Sequence, residues 1–175
     1  MKENFDKYIP ELLKHEGGFV NRSLKDDPGG ATNMGITQKT LSEFRNKKAT
    51  VADVKALTKK EAIEIYDKMY WDTFKGDQIH AGLDVSVFDF AVNSGPGRAA
   101  KYLQVLIGVK ADGLIGPITV KAINAFVSAN GIEATITNYN NLRIRYLKGL
   151  SNFKANPGWL PRVEAVKQAS LELSK

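Results

Sequence analysis

The sequence of 175 residues contains no cysteine and only two histidines. Without cysteine there is no disulfide framework, no thiolate nucleophile and no Cys-ligated zinc or iron–sulfur centre. Two scattered histidines among carboxylates do not give a ligand set of sensible spacing, so we predict no metal and no cofactor. No apolar run approaches the roughly 20 residues that span a bilayer. The N-terminal stretch carries acids where a signal peptide needs an apolar segment, so we expect synthesis in the cytoplasm and no transmembrane segment.

Acidic residues are scarce in the second half of the chain. Residues 98–175 hold 11 basic and 4 acidic side chains, whereas residues 1–97 hold 14 basic and 15 acidic ones. A positive field of this kind attracts a polyanion. The chain has no zinc-finger spacing, basic zipper or ribonucleoprotein aromatic motif, so nucleic acid is not the expected partner.

Strand-like alternation is nearly absent and no unit of 20–50 residues repeats, so we predict an all-α fold. The first helix carries apolar residues through Leu13 and ends at Gly17-Gly18; Pro10 either kinks it or moves its start towards Tyr8. Thr37 is the predicted N-cap of the next helix. The further helices are predicted at 38–46, from a Thr58–Glu61 capping box to about Tyr70, and at 83–92, 98–107, 117–129, 132–148 and 160–173.

Residues 19–36 lose this periodicity and are rich in Asn, Asp, Pro and Gly, as expected for an irregular loop or small hairpin. Asp27-Pro28-Gly29-Gly30 fits a tight turn that would hold Asp26, Thr32 and Asn33 at fixed angles. Glu16 lies just upstream, where the negative end of the helix dipole favours a protonated carboxyl. A protonated carboxyl opposite an ionised one is the pair that a glycosidase uses.

Each of these residues also has a structural explanation. Glu16 could be a solvated residue at a helix end, Asp26 and Asp27 could form the turn, and Thr32 could cap a helix or lie in a strand. Asp89, within an apolar helix, is predicted to be a buried polar group with partners rather than a second catalyst. The constellation, not any single residue, points to the chemistry.

The stretch HEGGFVNRSLKDDPGGATNMGITQKTL (15–41) resembles the start of glycoside hydrolase family 108, the N-acetylmuramidases of phage endolysins, prophages and secretion-associated lysozymes. The family motif has Tyr where this chain has Phe19. The resemblance continues through Tyr70-Trp71 and FDFAVNSGPGRAAKYLQ (88–104). DGLIGPIT (112–119) and GWLPRV (158–163) resemble a peptidoglycan-binding region that follows the catalytic half.

The resemblance implies a lysozyme-like helical globule, with a muramidase half at 4–94 and a peptidoglycan-binding-like half at 95–174. It also implies Glu16 as the general acid. Phage-type lysozymes outside the family have one residue fewer between their Glu and Asp, and that similarity nominates Asp26 as the second carboxylate and Thr32 as the residue that positions water. Asp27 remains the alternative to Asp26.

Side chains suited to sugar contacts are Asn33, Tyr70 and Asn93, although Tyr70 and Trp71 also fit a core. The expected substrate is bacterial peptidoglycan, cleaved at the β-1,4 bond by a monomer released through a holin or another route. The alternatives are a lytic transglycosylase that uses Glu16 alone, a non-catalytic wall-binding or secretion-assisting protein, and a nucleic-acid binder.

Overall fold

A computed structural model describes residues 2–21 and 30–175 of the chain. These residues divide into two compact units, a smaller one within residues 7–69 and a larger one from residues 2–6 and 70–175. The division predicted at 94–95 separates a muramidase half from a peptidoglycan-binding-like half, and it stays a prediction. Asp26 and Asp27 lie outside the described residues.

Helix α1 (Lys2–Glu16) runs through Pro10 without ending there. Its buried positions recur at helical spacing: Phe5, Tyr8, Ile9 and Leu12. Pro10 is exposed and removes one backbone hydrogen bond, a loss that the packing of the apolar face outweighs. The alternative in which the helix starts near Tyr8 is therefore wrong.

The smaller unit contains an antiparallel hairpin, β1 (Thr32–Asn33) and β2 (Ile36–Thr37). Helix α2 (Gln38–Phe44) follows, and its predicted N-cap is confirmed because the Thr37 hydroxyl accepts a hydrogen bond from the amide of Thr40. The helix ends two residues before the predicted end at 46.

Helix α3 (Val51–Lys55) was not predicted. Five residues are too few to show a period of 3.6, but the segment opens with a complete capping box between Thr50 and Asp53. That box was the available signal.

Helix α4 (Lys59–Tyr66) begins where predicted, since the Thr58 hydroxyl accepts a hydrogen bond from the amide of Glu61. The carboxylate of Glu61 instead accepts hydrogen bonds from Arg45, at 2.7 Å from Nε and 2.9 Å from Nη2. The capping box is therefore half formed among the described contacts. After Tyr66 the chain makes one π-helical turn, Asp67–Trp71. The helical segment therefore reaches Tyr70 as predicted, but its last turn has the wider i→i+5 hydrogen-bond pattern.

The larger unit contains longer helices. They are α5 (Leu83–Ser94), α6 (Pro96–Leu106), α7 (Pro117–Asn130), α8 (Ile132–Lys148) and α9 (Trp159–Leu173). Residues 83–91 of α5 are all buried, as predicted from their apolar character, because α6, α8 and α9 pack around them.

The predicted class, all-α and lysozyme-like with a small hairpin after the first helix, is confirmed by these elements. No helix in the described ranges is both long and apolar enough to cross a membrane.

Candidate active site

Glu16 is the last residue of α1, and its side chain is half-buried. The chain leaves the helix through Gly17, whose φ of +73° is the left-handed conformation common just after a helix end. Leu12, one turn earlier, is fully buried and anchors this end of the helix within the smaller unit. The carboxyl group is therefore held on an ordered backbone while part of it remains accessible.

The turn of the hairpin lies against this carboxyl group. Met34 and Gly35 join the two strands, and both have positive φ angles, +49° and +75°. Two central residues with positive φ are the requirement of a type I′ turn, whose twist matches that of the flanking strands. Positive φ is unfavourable for methionine, so the turn needs support from its surroundings.

Gly35 approaches Glu16 too closely to carry a side chain. A Cβ added to Gly35 would lie 2.7 Å from Oε2 and 2.9 Å from Cβ of Glu16, and closer still to the phenol oxygen of Tyr66. Oε2 of Glu16 and the phenol oxygen of Tyr66 both lie within 2.7 Å of this added Cβ, so the two oxygens are less than about 5.4 Å apart. The backbone of the turn thus forms one wall beside the Glu16 carboxyl group.

Tyr66 supplies the support that the turn needs. Its side chain is fully buried at the end of α4, and its hydroxyl donates a hydrogen bond of 2.8 Å to the carbonyl oxygen of Met34. Helix α4 therefore holds the residue with the unfavourable backbone conformation, and through it the glycine that contacts Glu16.

Thr32 lies at the start of the hairpin and is half-buried. Its backbone amide and carbonyl exchange hydrogen bonds of 2.8 Å with Val20, and on its other side it pairs with Thr37. The backbone of Thr32 is thus held on one side by Thr37 and on the other by Val20, which follows Glu16 by four residues.

Asn33 has a structural task that the sequence did not indicate. It is buried, and its amide nitrogen donates hydrogen bonds to the carbonyl oxygens of Val54 (3.0 Å) and Lys55 (3.4 Å) at the end of α3. The side chain thereby ties the hairpin to α3. Its proposed contact with a sugar stays a prediction.

The remaining predicted contacts belong to the larger unit. Tyr70 lies in the π-helical turn and Asn93 in the last turn of α5, and both are half-buried. The Asn93 side-chain oxygen accepts a hydrogen bond from the hydroxyl of Ser94. Glu16, Thr32 and Asn33 therefore share one compact unit, while Tyr70 and Asn93 belong to the other.

Trp71 is a core residue. It is fully buried, its ring contacts Phe5, Phe74 and Phe88 at centroid distances of 5.4–5.5 Å, and its indole N–H donates to Asp77. Of the two roles open to it, the core role is the one the structure shows.

Asp89 is confirmed as a buried polar group with partners. Its carboxylate is fully buried and contacts Arg143 at 2.6 Å and Arg162 at 2.9 Å. Burial by itself raises the pKa of Asp89, but the two guanidinium groups lower it more, to about 2. A carboxylate that is ionised at neutral pH and enclosed by arginines is not a proton donor.

Sequence reasoning nominated Glu16 as a candidate but missed Gly35 and Tyr66, which lie beside it in the structure. The Asn-Met-Gly-Ile sequence between two threonines was a hairpin signal, because a glycine at the second central position suits a type I′ turn. Nothing local marks Tyr66, since its partner Met34 is 32 positions away in sequence.

The family model described as glycosyl hydrolase 108 matches residues 9–95 of this chain, a range that includes α1, the hairpin and α4. The solved structure of SagA from Brucella abortus is similar over 100% of this chain and 98% of that one, with 41% sequence identity and a TM-score of 0.89. The chain belongs to the glycosyl hydrolase 108 family. Among curated proteins, none matches it.

As a member of glycosyl hydrolase 108, the protein is a glycoside hydrolase. Such enzymes use a carboxyl group to protonate the leaving oxygen of a glycosidic bond. Within the matched range, Glu16 combines a carboxyl group, partial burial and a wall of ordered backbone. In the described residues no group of three or more His, Cys, Asp or Glu side chains is placed to hold a metal ion.

Proposed function

We propose that this glycoside hydrolase is an N-acetylmuramidase that hydrolyses the β-1,4 bond between N-acetylmuramic acid and N-acetylglucosamine in bacterial peptidoglycan, with Glu16 as the general acid. The observation that supports the proposal most strongly is the close packing of the Gly35 backbone against the Glu16 carboxyl group. A fixed carboxyl group delivers its proton at a defined angle, as general acid catalysis requires.

In this mechanism, protonated Glu16 gives its proton to the bridging sugar oxygen while positive charge develops on the ring that is left. Asp26 supplies the ionised carboxylate that stabilises this charge or activates water, and Asp27 is the alternative for the role. Thr32 orients the water molecule. The support for Thr32 is its backbone, which is held by both Val20 and Thr37.

We assign sugar contacts to Asn33, Tyr70 and Asn93. The Asn33 amide nitrogen is engaged by α3, so its carbonyl oxygen is the group we assign to an N-acetyl N–H of the substrate. Tyr70 and Asn93 offer phenol and amide groups suited to sugar hydroxyls.

The second half of the chain, 95–174, is proposed to bind the wall polymer. The segment at 112–119 is a loop followed by the first turn of α7. Buried Gln104 holds the loop in shape, because it donates to the Asp112 carboxylate and to the carbonyl oxygen of Leu114 and accepts from the amide of Gly113. Leu114 in the loop is 74% exposed and Ile118 in the first turn of α7 is 80% exposed, so the segment presents apolar side chains that a mere connection does not need.

The test of catalysis is the release of reducing ends from purified peptidoglycan sacculi. Glu16→Gln keeps the shape of the side chain but removes the proton donor, so we expect the rate to fall by at least about 100-fold. Glu11→Gln is the matched control, because Glu11 lies on the same helix and pairs with exposed Lys14. Full activity in Glu16→Gln would reject the assignment.

The cleaved bond is identified by mass spectrometry of the fragments after borohydride reduction. Reduced N-acetylmuramic acid at the new end supports the proposal, whereas reduced N-acetylglucosamine identifies a glucosaminidase. An anhydro product that resists reduction identifies a lytic transglycosylase using Glu16 alone. Sedimentation with sacculi without any release of fragments identifies a non-catalytic binding protein.

A further inference from the structure

The larger unit contains a shallow depression between α6 and α8 that the proposed reaction does not use. Its volume is about 440 Å³, within the range of ~300–1,000 Å³ typical of small-molecule sites. The residues that line it are Tyr102, Leu142, Arg145, Tyr146, Gly149 and Leu150. We call this depression the α6–α8 pocket.

Two tyrosine rings form the aromatic part of the pocket. Tyr102 and Tyr146 pack edge to face with centroids 5.4 Å apart, and each also contacts buried Phe90, at 5.5 and 5.6 Å. Both tyrosines are half-buried, so each ring is held by its contact with Phe90 and remains partly accessible to solvent. Rings of this kind offer a rigid apolar face with a polar edge, which costs little conformational entropy on binding.

Two arginines beside the rings are available to a ligand. Arg145 lines the pocket and is exposed, and the guanidinium carbon of Arg98 lies 5.1 Å from the centre of the Tyr146 ring. Arg98 donates one hydrogen bond to the carbonyl oxygen of Ser94. Within the described ranges no carboxylate forms an ion pair with Arg98 or Arg145. By contrast Arg143, which shares α8 with Arg145, is buried and paired with Asp89.

The charge of both helices supports an anionic ligand. Helix α6 carries Arg98 and Lys101 with no acidic residue, and the only acidic residue of α8 is Glu133, in its first turn. Glu133 is three turns away from Arg145 along the helix. A carboxylate that enters the pocket therefore meets Arg145, and none of the residues that line the pocket is acidic.

We propose that the α6–α8 pocket binds a carboxylate-bearing amino sugar, namely the muramyl-peptide unit of peptidoglycan. Arg145 and Arg98 pair with a carboxylate of the lactyl-peptide arm, in the forked geometry that guanidinium and carboxylate groups share. The tyrosine rings pack against the apolar face of the sugar. The choice of this polymer rests on the proposed function, but the residues that line the pocket belong to the larger unit and do not include Glu16.

A nucleic-acid strand is the competing polyanion. Single strands are bound in grooves that follow the backbone over several nucleotides, with bases stacked on successive rings. The α6–α8 pocket instead has one pair of rings in edge-to-face contact, with the guanidinium group of Arg98 against one ring and Arg145 in the lining. This arrangement favours one sugar unit with one anionic group.

The test is the binding of N-acetylmuramyl dipeptide to the full chain, measured by calorimetry and by amide shifts in NMR spectra. This ligand has no β-1,4 bond between sugars, so the result does not depend on hydrolysis, and failure of the proposed function would show separately in the reducing-end assay. We expect binding of the dipeptide, shifts at 102 and 145–150, and no comparable binding of neutral N-acetylglucosamine or of a single-stranded oligonucleotide.

Two variants distinguish binding in this pocket from nonspecific attraction of the ligand by positive charge. Arg145→Gln is expected to weaken binding about tenfold or more, as for the loss of a charged hydrogen-bonding partner. Lys148→Gln removes the same charge from the same helix at a position that does not line the pocket, and should change affinity less than about twofold. Circular dichroism of both variants checks that the helices are intact.

Four results would overturn the proposal: no binding of the dipeptide, equal binding of the neutral sugar, shifts confined to the smaller unit, or equal losses in Arg145→Gln and Lys148→Gln. Tighter binding of the oligonucleotide, decreasing steeply with salt, would replace it with a nucleic-acid site.

Discussion

Glu16 and Asp89 are two carboxyl groups on helices, and they differ in what surrounds them. Glu16 is half-buried at a helix end, beside the backbone of a turn that Tyr66 holds. Asp89 is fully buried in the middle of α5 between two arginines. The first environment leaves a carboxyl group accessible to a substrate, as proton transfer requires, whereas the second keeps Asp89 ionised at neutral pH and joins α5 to α8 and α9.

The largest effect should come from Asp89→Asn. The substitution keeps the volume of the side chain but leaves two guanidinium groups facing an uncharged amide, so we expect a loss of about 3–5 kcal/mol in the free energy of unfolding. Urea denaturation followed by circular dichroism measures it. Asp6→Asn, on exposed α1 surface, is the control and should be indistinguishable from the parent. Equal stability of the two variants would show that the buried pairs are dispensable.

Gly35→Ala should affect both stability and activity. Alanine at φ +75° is strained, and its Cβ would push against Glu16 and Tyr66, so we expect a cost of about 2–3 kcal/mol and a marked fall in reducing-end release. Gly158→Ala is the control, since Gly158 has negative φ and open space where a Cβ would lie. An active Gly35→Ala protein would mean that the turn does not shape the site.

Acid should destabilise the protein through Asp89. Its pKa of about 2 in the folded state lies below the ordinary 3.8, so the folded state favours the ionised form. This contribution, about 2 kcal/mol, is fully present above pH ~4 and is lost as the pH falls through 2. Comparing denaturation at pH 5 and pH 2.5 in the parent and in Asp89→Asn tests it, because the variant lacks this component. An identical pH dependence in both would contradict the assignment.

The smallest predicted effect distinguishes two tyrosines, one in each compact unit. Tyr66 donates to Met34 beside the candidate site, and Tyr139 donates to the carbonyl oxygen of Ala99 at 2.9 Å inside the larger unit. Replacing either by phenylalanine removes the hydrogen bond that its hydroxyl donates to a carbonyl oxygen and should cost about 1 kcal/mol. We expect only Tyr66→Phe to reduce reducing-end release, by about tenfold, because only that loss frees the turn beside Glu16. Equal activity of the two variants would leave Tyr66 with stability alone.

The sequence predicted the longer helices well because their signals are local. The apolar run of α5 and the N-caps at Thr37 and Thr58 each depend on residues within a few positions of one another. The predictions failed where a distant partner decides the outcome. Arg45 takes the carboxylate of Glu61 away from its cap, and the environment of Glu16 depends on Gly35 and Tyr66.

The same limit applies to the site residues. Glu16 could be nominated from its place before two glycines, and Asp89 could be recognised as structural from the apolar helix around it. The anchoring of Asn33 to the end of α3 could not be predicted, because its partners Val54 and Lys55 lie 21 and 22 positions away in sequence.

The pairing of Val20 with Thr32 has an evolutionary consequence. Two backbone hydrogen bonds join the chain at these points, so the alignment of Thr32 with the end of α1 depends on a bridge and not on how many residues are counted between them. Insertions between such anchors cost little, roughly 0.6 kcal/mol for each doubling of loop length. A difference of one residue between glutamate and aspartate, like that from the phage-type lysozymes outside the family, is therefore compatible with a threonine in the same register. A comparison with them is best aligned at the Val20–Thr32 bridge and not at the glutamate.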